Sequence, residues 1–139
     1  MTTSPRSTAT SSLGSALVGG TAAGIVAAVV NAIVFATGVI DPAVETPAGG
    51  PITLAPVVMF SVTANIIGGA VFWAVQRRAS SPLRTWQIVV AVVTLVSFVG
   101  ILGLEAAPTA MRFALAAMHV IAGAAAFVVT PAVAARRTD

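Results

Sequence analysis

The 139-residue chain contains no cysteine. That excludes a disulfide, a thiol nucleophile and a cysteine-ligated metal, and it leaves the redox compartment undetermined. Charge is also scarce: only 8% of the residues are Asp, Glu, Lys or Arg, against roughly 25% in soluble domains. Such a chain has too little polar surface to face water all round. The net charge of +3 comes from seven arginines spread in ones and twos, so no basic patch exists to meet a nucleic acid. The four acids and one histidine show no metal-ligand spacing, and there is no glycine-rich phosphate loop. A lone histidine without a buried acid forms no nucleophile triad. We therefore expect no catalytic, cofactor-binding or metal site, no cofactor, and a protein that is not an enzyme.

What is present is 58% hydrophobic sequence, gathered into four runs at about 13–40, 52–75, 86–104 and 109–135. Each run reaches the roughly 20 residues that cross a bilayer as a helix, and an isolated strand in lipid would leave its backbone unpaired. Residues 1–12, rich in Ser and Thr, read as a disordered tail, and 136–139 as a short C-terminal tail. Asp41 to Pro51 reads as a short exposed loop built from Pro and Gly. Trp73 and Trp86 flank the middle loop as interfacial anchors. Arg6, Arg77, Arg78, Arg84, Arg136 and Arg137 fall on one side of this arrangement, and Asp41, Glu45 and Glu105 on the other. The positive-inside rule makes the arginine side cytoplasmic. The first run exceeds the roughly 7–15 residues of a signal-peptide core, so it reads as a span. The expected fold is an all-α bundle of four transmembrane helices with both termini inside, and no internal repeat points to an inverted-repeat transporter.

Polar side chains inside these runs are the candidates for function. With a rise of about 1.5 Å per residue, Asn31, Ser61, Thr94, Ser97 and His119 lie about 10–15 Å below the outer helix ends, and Asn65 about 20 Å down. His119 is the sole histidine, and an ionisable group at that depth often marks a pathway or relay. Arg112, Ala116, His119, Gly123, Ala126 and Thr130 share one helix face, which should meet other helices. The alternatives for His119 are a proton-accepting or ligand-contacting site and a neutral ring bonded to Asn31, Asn65, Thr94 or Ser97. Near the outer end, Arg112 and Glu105 form a candidate ion pair, with snorkelling as the alternative. Gly20 and Gly24, with Ala16 and Ala28 at the same spacing, form a close-packing ridge, matched by Gly68 and Gly69 on the second helix and Gly123 on the fourth. Thr130-Pro131 predicts a bend.

The stretch TWQIVVAVVTLVSFVG from Thr85, then an acidic small-residue turn and ALAAMHVIAGAAAFVV around His119, resembles an actinobacterial family of small four-span membrane proteins of unknown function, designated DUF6069. The likeness is clearest over roughly the last 55 residues; where that pattern often has Gly-Pro at the end of the third helix, this chain has Gly100-Ile101. The resemblance implies a bacterial inner membrane and no particular activity. The leading expectation is a small non-enzymatic membrane protein, in contact with the lipid bilayer, that self-associates or serves a larger membrane complex. The alternative is a small channel or proton-linked transporter lined around His119.

Overall fold

The computed structural model describes residues 11–45 and 49–137. Residues 1–10, 46–48 and 138–139 lie outside the described residues, as do most of the tail expected over 1–12, part of the loop after the first span and the end of the C-terminal tail. Four helices follow one another: α1 (Leu13–Ala36), α2 (Leu54–Arg78), α3 (Pro82–Leu102) and α4 (Thr109–Ala135). All four are long and apolar enough to cross a membrane. Among the described residues the single β feature is an isolated bridge between Glu45 and Pro51.

Local chemistry sets the helix ends. Ser12 adopts an extended conformation and its hydroxyl accepts the Ser15 N–H at 3.0 Å, capping α1. Its neighbour Ser11 is buried and donates to Gln76 Oε1 at the end of α2, so these two serines belong to the bundle and not to the tail. At the other end α1 stops at Ala36, four residues sooner than its apolar run, because Gly38 turns the chain at φ 75°. Ile40 and Val44 are thereby folded back against Ile101, Leu104 and Met111. The segment after α1 is thus part plug, not simply an exposed loop. Between α2 and α3 only residues 79–81 are non-helical, since α2 runs on to Arg78 and Pro82 starts α3 at a first-turn position that needs no N–H partner. The last helix continues through Pro131.

The helices alternate in direction. The start of α1 meets the end of α2 through Ser11 and Gln76 and the end of α4 through Gly19 and Thr130. Arg77, Arg78, Arg84, Arg136 and Arg137 consequently gather at one end of the bundle, and Asp41, Glu45, Glu105 and Arg112 at the other.

α1 is the central helix because it carries small residues on two faces. Gly20 and Gly24 sit directly on the α2 backbone at Asn65, Gly69 and Val62. A Cβ on Gly20 would overlap the Asn65 carbonyl oxygen, and one on Gly69 would lie 2.5 Å from the Ala16 carbonyl oxygen. On the second face a Cβ at Gly19 would lie 2.5 Å from the Thr130 carbonyl oxygen of α4, and Ala23 and Ala27, both at 0% exposure, pack on Ala125. Lipid offers no hydrophobic drive between helices, so such close backbone approach, with the dispersion it recovers, is what joins them. Gly68 meets only the Trp86 ring, at an ordinary 3.5 Å, and Gly123 faces the Thr94 side chain of α3. The residues turned away from these seams, such as Ile25, Val29 and Ile33 on α1 and Phe113 on α4, are large, apolar and exposed, as suits a lipid-facing surface.

The seams are unyielding because their partners are backbone atoms. Gly20→Val should lower stability by about 3 kcal/mol through overpacking, whereas Gly100→Ala, where a Cβ meets nothing within 4 Å, should stay within about 1 kcal/mol of the parent. Unfolding in mixed micelles, followed by far-UV circular dichroism, measures both; equal stability of the two variants would contradict the packing described.

Candidate functional site

α3 is held differently. It rests mainly on α4 and touches α2 only sparingly. The firm contact is at the arginine-bearing end, where the Trp86 ring meets the Phe72 ring edge to face, with centroids 5.3 Å apart at 62°. Trp86 is 2% exposed and its Nε1–H donates to the Ala126 carbonyl of α4 at 3.2 Å. It therefore pins α3 to two helices, and is not the interfacial anchor that its place beside the loop suggests. Trp73 is half-buried against the same cluster with its Nε1 enclosed and unpartnered, and its ring carries the Arg77 guanidinium 4.5 Å from the ring centroid.

Beyond the Trp86 contact, α2 and α3 part and leave a cleft between them. It comprises two adjoining cavities, one of about 440 Å³ toward the acidic end and one of about 270 Å³ next to Trp86. Ala64, Ser97, His119 and Ala122 line both. The rim is apolar and faces outward, with Phe60 of α2 at 74% exposure and Val93 of α3 at 62%. The opening is thus sideways, toward the bilayer, and the volume falls in the range of small-molecule sites.

All six polar residues singled out in the spans line this cleft, but as two clusters. On the α1–α2 seam, Asn31 Nδ2 donates to Ser61 Oγ at 3.1 Å, and Asn65 Nδ2 donates to the Ser61 carbonyl at 2.8 Å. Both asparagines are 4% exposed, and Oδ1 of each has no partner. Across the cleft, on α3 and α4, Ser97 Oγ donates to the Thr94 carbonyl at 2.6 Å, and His119 Nδ1 lies 2.8 Å from the Leu115 carbonyl. His119 is therefore bonded to its own helix, not to Asn31, Asn65, Thr94 or Ser97, and its ring stands edge-on to Phe98 at 6.5 Å. A carbonyl only accepts, so in the neutral ring Nδ1 carries the hydrogen and Nε2 keeps its lone pair.

Arg112 serves the outer turn. Its Nε donates to the Ala107 carbonyl at 3.1 Å and its Nη2 to the Glu105 carbonyl at 2.9 Å, so the pairing expected with Glu105 is made to the backbone and not to the carboxylate. These two bonds hold the α3–α4 turn whose Leu104 and Ala107 close the plug around Met111. The face of α4 bearing His119, Gly123 and Ala126 turns toward α3 and the cleft, while Met111, Leu115, Met118 and Ala125 are the buried positions beside it. Thr130, on the α4 face expected to meet other helices, does so against α1; its partner Gly19 escapes sequence reasoning, because a glycine adjacent to a GxxxG carries no signal until α1 and α4 are brought together.

Four apolar, mutually packed helices and a polar-floored cleft among them define a multi-pass membrane protein. Residues 8–139 match one family throughout, and the chain belongs to it: the family of unknown function DUF6069. No curated protein and no solved structure matches the chain.

The ring geometry has a spectroscopic signature. Nitrogen-15 NMR of histidine-labelled protein should find the neutral His119 ring carrying its hydrogen at Nδ1 and bare at Nε2; the opposite tautomer would remove the bond to Leu115.

Proposed function

We propose that this protein is a non-enzymatic component of a bacterial cytoplasmic membrane, with both termini cytoplasmic, that holds a lipid-soluble molecule in the α2–α3 cleft, alone or as an accessory to a larger membrane complex. The observation that carries this reading is the cleft itself: apolar walls open to the bilayer, a polar floor, and volumes of about 440 and 270 Å³ meeting at His119. In lipid a gap of this size fills with something, and polar groups at mid-depth favour an occupant that can satisfy them. Closure of one end by Trp86 and Phe72 supports a bound occupant over a continuous pore through the bundle. Gly20 and Gly24 are covered by α2, so this ridge packs helices within the chain. The orientation rests on the gathering of arginines at one end of the bundle.

The absence of cysteine makes the orientation directly testable. In intact cells a membrane-impermeant maleimide should label Ala43→Cys from outside and label Ser80→Cys only after permeabilisation; the reverse pattern inverts the assignment. Occupancy is tested by gentle extraction and native mass spectrometry. A lipid-soluble species should copurify with the parent protein and be depleted at least about fivefold in Ala64→Trp, which fills the cleft from an exposed position and costs little packing. A parent spectrum showing only the bulk lipid distribution, unchanged in the variant, would sink the proposal.

A further inference from the structure

We infer that the occupant of the cleft is a neutral molecule with an apolar body and an O–H group, held at the junction of the two cavities through that hydrogen. This rests on the reading of the cleft as a binding site and adds the chemistry of what it takes. The polar side chains common to both cavities are Ser97 and His119. Each spends its own hydrogen on a carbonyl of its own helix: Ser97 Oγ on Thr94, and His119 Nδ1 on Leu115. What remains at the junction is a hydroxyl lone pair and the Nε2 lone pair, both acceptors. Behind them the Asn65 Oδ1 is a further acceptor without a partner, its Nδ2 being bonded through one of its two hydrogens to the Ser61 carbonyl. The Thr94 and Ser61 hydroxyls can rotate to give or to take, so they do not set the polarity.

An acceptor-lined junction discriminates between ligands. At the junction itself an anion or a ligand with only carbonyl oxygens meets the lone pairs of Ser97 and His119 and finds no donor there. A cation meets acceptors but no counter-charge, since among the described residues no carboxylate lines either cavity, and an uncompensated charge at this depth is costly. A neutral hydroxyl donates to Nε2 or to Ser97 Oγ while its apolar body lies along the walls around Phe60 and Val93.

The test uses a matched pair of probes, farnesol and its methyl ether, which differ in the one hydrogen. Binding to delipidated protein in mild detergent is measured by native mass spectrometry for the parent, His119→Phe and Ser97→Ala. We expect farnesol to bind about tenfold tighter than the ether to the parent, as one net hydrogen bond allows. The preference should vanish in His119→Phe and weaken in Ser97→Ala, with ether affinity held within about twofold; Ser97→Ala keeps the test valid should the larger change disturb folding. Equal binding of both probes to the parent overturns the inference and leaves the cleft as a site for apolar molecules. Dodecylamine binding more tightly than farnesol overturns its neutral character. Failure of either probe to bind, together with no depletion in Ala64→Trp, overturns both this inference and the reading on which it rests.

Discussion

Close approach of α1 to its neighbours is the contact on which the rest of the molecule depends. Water drives apolar surfaces together in a soluble protein, but lipid tails are as apolar as the helices they surround, so packing must come from surfaces that fit better to each other than to lipid. α1 supplies two such surfaces, Ala16–Gly20–Gly24 for α2 and Gly19–Ala23–Ala27 for α4. Because the atoms met at these glycines are backbone carbonyls and Cα atoms, the three helices have little freedom to slide. They form the rigid part of the protein.

α3 has no comparable surface, and its different attachment explains the cleft. Large aliphatic residues such as Val92, Val93, Leu95, Val96 and Val99 dominate it and are exposed, which suits lipid and keeps its backbone away from α2. It is held instead by side chains at its two ends: Trp86 against Phe72 and Ala126, and Ile101 within the plug formed by Ile40, Val44, Leu104 and Met111. Between those ends α3 packs on α4, through Thr94 on Gly123 and Phe98 on His119, but only sparingly on α2, which leaves volume on its α2 side where the polar layer lies. The cleft follows from the distribution of small and branched residues among the four helices.

Donors on its floor follow the rule that in lipid a hydrogen-bonding group is best paired within the protein. Ser97, His119 and Asn65 find theirs in helix carbonyls one turn back along their own helices. Those carbonyls already accept a backbone N–H and have a second lone pair to offer. The bonds spend the hydrogens of Ser97 and His119 Nδ1 and leave acceptors facing the junction, so the character of the cleft comes from helix geometry as much as from residue choice.

Four apolar runs, their lengths and the clustering of arginines at one end are properties of composition along the chain, and the bilayer turns them into helices almost without alternatives; so the number and order of the spans, and the list of polar residues at mid-depth, could be read before any coordinates. The Gly20–Gly24 ridge was legible too, because GxxxG is a local spacing. Which residues meet was decided only by tertiary structure. Periodicity says that His119, Gly123 and Ala126 share a face, but that this face turns to a loosely held α3 depends on α1 having taken the tightest contacts with α2 and α4. The same holds for Trp86, whose indole reaches the Ala126 carbonyl, for Gly19 against Thr130, and for Arg112, whose guanidinium found two carbonyls in a turn closer than the Glu105 carboxylate. Sequence sets which groups lie at a given depth, since depth follows from position along a straight helix; the rotation of each helix about its axis is set by fit to its neighbours, and that rotation makes the cleft.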